Sequence, residues 1–232
     1  MPPGTLLASP TDDAPHEALP AAGVFGKGVL VDASVLEDCV GELLEPESSL
    51  LLGASPRRRQ EIATGRKLAR RLLERLGFPA YALLRDADRV PLWPEQIVGS
   101  ISHKEDRCVV AVAPRGRWGG IGVDLERDAA VKPGLERMIC LPSEQRWIEA
   151  EGPAEVGRRC RAVFSAKEAV YKAWFPRVRE VWAFRDVEVE IDLESNAFRA
   201  RLPPSAPQRE SGGRIRRCDG WIVSGVELPA VR

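Results

Sequence analysis

The chain has 232 residues, 44% of them hydrophobic, which is enough to bury the core of one large domain or two small ones. Its 34 basic and 34 acidic residues cancel, so no overall field attracts nucleic acid or an anionic membrane, and any anion site must be local. Five cysteines, odd in number and without C-x-x-C spacing, argue against a disulfide framework and a zinc site and favour a reducing cytoplasm.

The chain divides into a lead-in and two halves. Residues 1–22, rich in Pro and Ala with scattered acids, predict an irregular lead-in and show no secretion signal. No run is long enough to span a membrane. In the N-terminal half, residues 23–115, the segment 28–31 predicts a strand and the acidic, leucine-containing segment 36–52 predicts a short helix. The C-terminal half is residues 116–232.

The clearest helix follows Ser55. Ser55 suits the N-cap, Pro56 the first helical position and Gly77 the stop, so the pattern predicts a helix over residues 56–76. The polar side of this helix is unusually basic. A basic side of this kind is most often solvated, and a nucleic-acid patch is the second interpretation. Arg66, with Arg58 or Arg59, would also suit a phosphate. The basic residues are Arg57, Arg58, Arg59, Arg66, Lys67, Arg70, Arg71 and Arg75.

A strand, a polar turn and a second strand are predicted at residues 98–103 and 108–113. The first run ends in G-S-I-S-H, whose last residue, His103, is one of only 2 histidines in the chain. A single histidine is more often a surface or core residue than a ligand. The run alone therefore leaves the role of His103 open.

The stretch 119–126, G-G-I-G-V-D-L-E, is a short apolar run that ends in two acids. In a strand, Asp124 and Glu126 point to one side while Val123 and Leu125 point into the core. Two acids this close repel each other unless a cation lies between them, and their oxygen atoms suit a hard divalent metal, most plausibly Mg²⁺. The alternative is a strand end whose acids face water.

Residues 164–174, F-S-A-K-E-A-V-Y-K-A-W, predict a helix in which Glu168 and Lys172 share one face. A structural alternative exists, because Ser165 and Glu168 match a capping box and Glu168 with Lys172 would form an ordinary ion pair. No sequence repeat relates this half to the first. The other predictions here are a short helix from 141–144, β-like runs near 184–193, 197–202 and 219–228, and a loop over 203–217.

Together, I-G-V-D-L-E and F-S-A-K-E-A-V-Y-K resemble the signature of the Sfp-type 4′-phosphopantetheinyl transferases, in the subgroup similar to enterobactin synthase component D. The resemblance implies an enzyme that moves the phosphopantetheine arm of coenzyme A to a serine of an apo acyl or peptidyl carrier protein and releases 3′,5′-ADP. Mg²⁺, or Mn²⁺, would be required. The implied fold is α+β, with two similar α/β halves related by a pseudo-two-fold axis and a ligand cleft between them.

The resemblance also assigns roles to residues. Glu168 would be the base that takes the serine proton, directly or through water, and Lys172 would stabilise or protonate the departing 3′,5′-ADP. His103 would contact the 3′-phosphate, and Trp174 and Phe175 would line the pantetheine arm. The implied metal ligands are Asp124, Glu126 and Glu168. The implied coenzyme A contacts are Arg58 (or Arg59), Arg66, Arg85, Ser102, His103, Lys167 and Lys172.

The sequence departs from the family pattern at Glu95 and at Lys104-Glu105, which affects loop shape more than chemistry. Two rival functions are a different Mg²⁺-dependent phosphoryl transferase and a non-catalytic nucleic-acid module that uses the basic helix. The absence of a G-x-x-x-x-G-K-S/T loop counts against the first, and the neutral net charge against the second. We therefore expect a cytoplasmic monomer that binds neither nucleic acid nor membrane.

Overall fold

The computed structural model describes residues 23–230, so the predicted lead-in, residues 1–22, lies outside the described residues. The N-terminal half contains β1 (Leu30–Val35), α1 (Pro56–Arg75), β2 (Ile97–Lys104) and β3 (Arg107–Pro114). The C-terminal half contains β4 (Trp118–Arg127), α2 (Glu136–Ile139), α3 (Pro142–Glu149), α4 (Pro153–Val178), β5 (Glu188–Asp192), β6 (Ala197–Arg201), β7 (Glu210–Cys218) and β8 (Trp221–Pro229). In the described part of the chain, no helix is long and apolar enough to cross a membrane.

The strands form two antiparallel sheets, each covered by one long helix. The first sheet has the order β1-β3-β2 and packs against α1, and the second has the order β4-β8-β7-β6-β5 and packs against α4. This arrangement confirms the predicted α+β class. The sheets differ in size, with three and five strands, and the pseudo-two-fold relation between the halves stays a prediction.

The two halves share a central core. One hydrophobic cluster lies between β2-β3 and β4-β8, and Val24 and Phe25, at the start of the described chain, pack into it. Side-chain hydrogen bonds also join β2 to β4, because the Ser100 hydroxyl accepts from the Val123 N–H at 3.1 Å and the Ser102 hydroxyl accepts from the Leu125 N–H at 3.2 Å. This junction fixes the strand that carries the acids against the strand that carries His103.

The segment 36–52, predicted as a short helix, contains two short 3₁₀ helices, Val40–Glu42 and Glu45–Leu51. One prediction of secondary structure is wrong. The predicted loop 203–217 contains most of β7, which lies between β6 and β8. Gly213 of β7 lies directly beneath the ring of Phe198, where a Cβ would overlap the ring. Pairing on both edges therefore overrides a sequence whose glycines and arginines suggest a loop.

Candidate active site

Two glycines bring α4 unusually close to β4. A Cβ on Gly120 would lie 2.6 Å from the carbonyl oxygen of Ala173, and one on Gly122 would overlap the carbonyl oxygen of Ala169. Because strand side chains alternate, the two positions that follow on this face are those of Asp124 and Glu126. The G-x-G-x-D-x-E pattern thus lays the helix on the strand and then aims both acids at it.

Asp124 is buried and paired with a lysine of α4. Its Oδ1 accepts from Lys172 Nζ at 2.7 Å and from the Ser102 hydroxyl at 3.1 Å. Its Oδ2 is also buried and has no hydrogen-bond partner. Burying a carboxylate oxygen without a cation or a hydrogen-bond donor beside it is energetically unfavourable.

Glu126 is buried as well, and two basic side chains hold it. Lys104 Nζ lies 2.8 Å from its Oε2, and Arg161 Nη1 lies 2.9 Å from the same oxygen. The prediction that both acids share a face away from the core of Val123 and Leu125 is confirmed. The alternative in which they face water is wrong, since both are buried.

Glu168 lies well inside α4, fifteen residues after its first residue, Pro153. The capping-box interpretation is therefore wrong, and Ser165 instead shares a 2.9 Å hydrogen bond with the Ser224 hydroxyl of β8. Burial raises the pKa of Glu168, and the nearby acids Asp124 and Glu126 raise it further, while Lys172 opposes them. A carboxylate with a raised pKa is better suited to accept a proton near neutral pH than an exposed one.

The fit of these acids to a divalent metal can be judged from their chemistry. Among the described residues, no group of three or more His, Cys, Asp or Glu side chains stands close enough to hold a metal ion. Side-chain cations pair with the two acids instead. Lys172 pairs with Asp124, and Lys104 and Arg161 pair with Glu126. The donor set still fits Mg²⁺ or Mn²⁺, because the acids are oxygen ligands and Asp124 Oδ2 lacks a partner. A metal at Asp124 would compete with Lys172.

A cleft of about 230 Å³ opens between the two halves, beside this acidic strand. It is lined by α1, the segment 85–91, β2 and the C-terminal part of α4. Its wall is strongly basic. Of the predicted site residues, it contains Arg58, Arg66, Arg85, His103 and Lys172.

The cleft distinguishes between the candidate arginines of α1. Arg58 lines the cleft, whereas Arg59 is exposed and donates from Nε to the carbonyl oxygen of Ala54 at 3.0 Å. Arg66 is buried, and its Nε donates to the carbonyl oxygen of Leu83 at 3.1 Å. Burial lowers the pKa of Arg66 to about 10, so the guanidinium keeps its charge at neutral pH. Arg58 and Arg66 are therefore the pair placed to bind an anion.

His103 lies in the wall of the cleft, in contact with α1. Its Nε2 is 2.5 Å from Arg58 Nη1 and 3.6 Å from Glu61 Oε2, and Arg58 also pairs with Glu61 at 2.9 Å. Burial lowers the pKa of His103 despite the opposing effect of Glu61. The imidazole is therefore neutral at pH 7, and Arg58 supplies the positive charge at this point.

Three of the predicted contacts do not lie in the cleft. The Ser102 hydroxyl donates to Asp124 and accepts from Lys172 Nζ at 2.9 Å and from the Leu125 N–H, so its hydrogen-bonding capacity is filled inside the protein. Trp174 is buried in the core of the second half, whereas Phe175 does line the cleft. The third, Lys167, has a different place.

Lys167 does not make the coenzyme A contact that the resemblance implies. Its ammonium is buried and donates to the carbonyl oxygens of Ile139 and Phe184 and to Glu144 Oε2, at 2.8, 2.7 and 2.7 Å. An ammonium has three donors. All three are used within the C-terminal half, so Lys167 has none left for a phosphate.

The basic side of α1 is largely paired with acids of its own half. Lys67 lies 2.8 Å from Glu37 and 3.0 Å from Glu42, and Arg71 lies 3.1 Å from Asp32. Arg70 is also paired, with a buried glutamate. These pairs give no support to the nucleic-acid interpretation, which needs a face of free cations.

Comparison with known proteins agrees with this geometry. The family model of the 4′-phosphopantetheinyl transferase N-terminal domain matches residues 46–113, and that of the 4′-phosphopantetheinyl transferase superfamily matches residues 120–223. The 4′-phosphopantetheinyl transferase Svp of Streptomyces mobaraensis is 35% identical over 84% of this chain and 82% of its own length. The chain belongs to the 4′-phosphopantetheinyl transferase superfamily.

Other members of the superfamily also match most of the chain. The 4′-phosphopantetheinyl transferase PptT of Mycobacterium tuberculosis is 33% identical over 99% of this chain and 92% of its own length. Enterobactin synthase component D of Salmonella typhi is 34% identical over 70% of this chain and 68% of its own length. The family predicted from the two motifs is confirmed.

Sequence reasoning missed several residues of this phosphopantetheinyl transferase site. Lys104, noted only as a departure in a loop, and Arg161 hold Glu126. Two buried glutamates, Glu47 and Glu144, were assigned no role from the sequence. The one available signal was that Glu144 stands three residues after Leu141 at a predicted helix start, the position from which a glutamate side chain binds back to the backbone.

Proposed function

We propose that this transferase moves the 4′-phosphopantetheine arm of coenzyme A to a serine hydroxyl of an apo acyl or peptidyl carrier protein and releases 3′,5′-ADP. One observation carries the proposal. The basic cleft ends at Lys172, whose ammonium lies on the buried acid Asp124, so an anion-binding surface leads to a cluster of carboxylates. The relatives named as 4′-phosphopantetheinyl transferases support the same reaction.

Coenzyme A would lie in the cleft with its phosphates on the basic wall. Arg58 and Arg66 line the cleft from α1, and Arg85 lines it from the segment 85–91. Guanidinium groups bind phosphate oxygens with two parallel hydrogen bonds, which suits both the 3′-phosphate and the pyrophosphate. His103, next to Arg58, would contact the 3′-phosphate.

The transfer itself forms one bond and breaks another. The serine oxygen of the carrier attacks the phosphorus that bears the pantetheine arm, and the bond from that phosphorus to the bridging pyrophosphate oxygen breaks. Glu168, whose pKa burial raises, accepts the serine proton. Lys172 leaves Asp124 to stabilise the charge that develops on the leaving 3′,5′-ADP.

Asp124, Glu126 and Glu168 would hold Mg²⁺, or Mn²⁺, as oxygen ligands if their side chains moved closer together than they stand in this structure. The bound metal would neutralise the three carboxylates and the developing phosphate charge. In its absence Lys172, Lys104 and Arg161 already neutralise the first two acids.

We further propose that the enzyme acts as a monomer in the cytoplasm. The sequence offers five cysteines without a disulfide pattern, which suits a reducing compartment. The carrier would belong to polyketide, nonribosomal peptide, siderophore or fatty acid synthesis.

One experiment tests the reaction directly. The protein is incubated with coenzyme A, Mg²⁺ and an apo carrier protein, and the carrier is weighed by mass spectrometry. We expect the gain of one phosphopantetheine group and the appearance of 3′,5′-ADP, and neither product when the carrier serine is replaced by alanine. An unmodified carrier, tested with several carrier types, would contradict the proposal.

A further inference from the structure

A glutamate of the N-terminal half is fully buried just before α1. Glu47 Oε2 accepts from the Leu44 N–H at 2.9 Å and from Arg70 Nη2 at 2.7 Å. Its Oε1 accepts from the Leu83 N–H at 2.8 Å. One carboxylate thus ties a 3₁₀ turn, a helix and the segment after that helix to a single point.

A glutamate of the C-terminal half makes the same set of contacts. Glu144 Oε2 accepts from the Leu141 N–H at 2.6 Å and from Lys167 Nζ at 2.7 Å. Its Oε1 accepts from the Val189 N–H at 2.7 Å. Each glutamate therefore binds the backbone three residues earlier, a cation of the long helix and a backbone N–H beyond that helix.

Three members of each set keep a constant spacing along the chain. Leu141, Glu144 and Lys167 lie 97 positions after Leu44, Glu47 and Arg70, whereas Val189 lies 106 positions after Leu83. The first residues of the two helices, Pro56 and Pro153, have the same separation. The residues between these points differ, so no repeat is visible in the sequence.

We propose that Glu47 and Glu144 are positioning residues with separate duties, Glu47 for binding coenzyme A and Glu144 for the transfer step. This inference rests on the proposed function of the cleft and the acidic cluster. We refer to Glu47, Arg70 and the Leu83 N–H as the first clamp, and to Glu144, Lys167 and the Val189 N–H as the second clamp.

The first clamp acts on the phosphate-binding side of the cleft. The same residue that donates its N–H to Glu47, Leu83, accepts from Arg66 Nε through its carbonyl oxygen at 3.1 Å. Arg85, two residues further on, also lines the cleft, as Arg66 does. Moving Leu83 would therefore displace two of the guanidinium groups that face the ligand.

The second clamp acts on the acidic side of the site. Lys167 precedes Glu168 on α4, and its ammonium also holds the carbonyl oxygen of Phe184. Phe184 lines a small cavity of about 90 Å³ together with Glu168 and Tyr171. Loss of the Glu144 charge would loosen this wall and the helix that carries the proposed base.

Steady-state kinetics of two matched variants separate these duties. Gln keeps the length of Glu and one acceptor oxygen but lacks the charge. We expect Glu47→Gln to raise KM for coenzyme A about 10-fold or more with kcat within about 2-fold of wild type, and Glu144→Gln to lower kcat about 10-fold with KM within about 2-fold. If both variants change the same parameter to the same degree, the clamps are only structural.

Exchanging the cation of the first clamp provides a second test, independent of whether the glutamine variants fold. The Nε of Arg70 is buried without a partner, and the second clamp uses lysine at the corresponding position. We therefore expect Arg70→Lys to keep the wild-type KM for coenzyme A, and Arg70→Met to raise it as Glu47→Gln does. Equal behaviour of the Lys and Met variants would contradict the correspondence of the clamps.

Calorimetric titration with coenzyme A, without carrier protein, separates failure of this proposal from failure of the proposed function. Weaker binding to Glu47→Gln and unchanged binding to Glu144→Gln would support separate duties even if no transfer were observed. Unchanged coenzyme A binding to Glu47→Gln would overturn the role of Glu47, whether or not the wild type proves to be a transferase.

Discussion

Replacing Lys172 by Met tests the cation that lies on Asp124. Removing one partner of a fully buried ion pair costs about 3 to 5 kcal/mol, because the other charge stays buried and unpaired. The Asp124 side chain is 5% exposed and that of Lys172 is 26% exposed, so water replaces part of the lost contact. We therefore take the lower end, about 3 kcal/mol. For a chain of this size, that loss lowers Tm by about 6 to 12 °C.

The same variant reports on the metal without an activity assay. In the wild type, the ammonium of Lys172 on Oδ1 of Asp124 opposes Mg²⁺ even though Oδ2 has no partner, but in Lys172→Met neither oxygen has an ammonium beside it. We expect Mg²⁺, added after EDTA treatment, to restore most of the lost Tm, since a ligand at 100 times its Kd adds about 2.7 kcal/mol. The wild type should gain less.

Thermal unfolding followed by circular dichroism is sufficient as the assay. The exposed Lys132 provides a matched control, and Lys132→Met should leave Tm unchanged within error. The double variant Asp124→Asn/Lys172→Met should lose the Mg²⁺ response. The reasoning would be refuted by a Lys172→Met variant as stable as wild type in EDTA, or by a Tm loss that Mg²⁺ leaves unchanged.

Three further predictions concern single residues. Glu168→Gln should lower turnover about 10²-fold or more, and near wild-type turnover would exclude the residue as base. Because burial raises the pKa of Glu168, the folded wild type loses stability as pH rises through that pKa. The free energy of unfolding of the variant should therefore equal that of wild type in acid and exceed it at pH 7. His103→Ala should raise KM for coenzyme A far more than for dephospho-coenzyme A, and equal losses would mean that it does not contact the 3′-phosphate. Gly122→Ala should lower the free energy of unfolding, measured in urea, by at least about 1 to 3 kcal/mol, because a Cβ there would overlap the backbone of α4. Gly116→Ala, with open space around it, should leave that free energy nearly unchanged.

Local patterns were enough for the elements that carry the site. The predicted helix starts where Ser55 and Pro56 place it, and the Ser55 side chain accepts from the Arg58 N–H at 3.3 Å. The alternation of β4 placed Asp124 and Glu126 on one face, as predicted. These features depend on neighbours within a few residues, which a sequence shows directly.

Other features depend on partners far along the chain. The strand character of β7 comes from pairing with β6 and β8, and its own glycines give no sign of it. The place of Lys167 depends on Glu144 and two carbonyl oxygens, all at least 17 positions away. A motif can show that a lysine is required beside Glu168, but only the packing shows that its charge is used inside the protein.

The two clamps suggest why only one half carries the acidic cluster. Arg71 lies 97 positions before Glu168, so it holds the corresponding place on α1, and it pairs with Asp32 of β1 at 3.1 Å. In the first half the helix therefore offers a cation to the acid of the neighbouring strand. In the second half the helix offers a further acid, Glu168, beside the acids of β4. The same helix-on-sheet frame then leaves a negative charge that only an added cation, from a side chain or a metal, can neutralise.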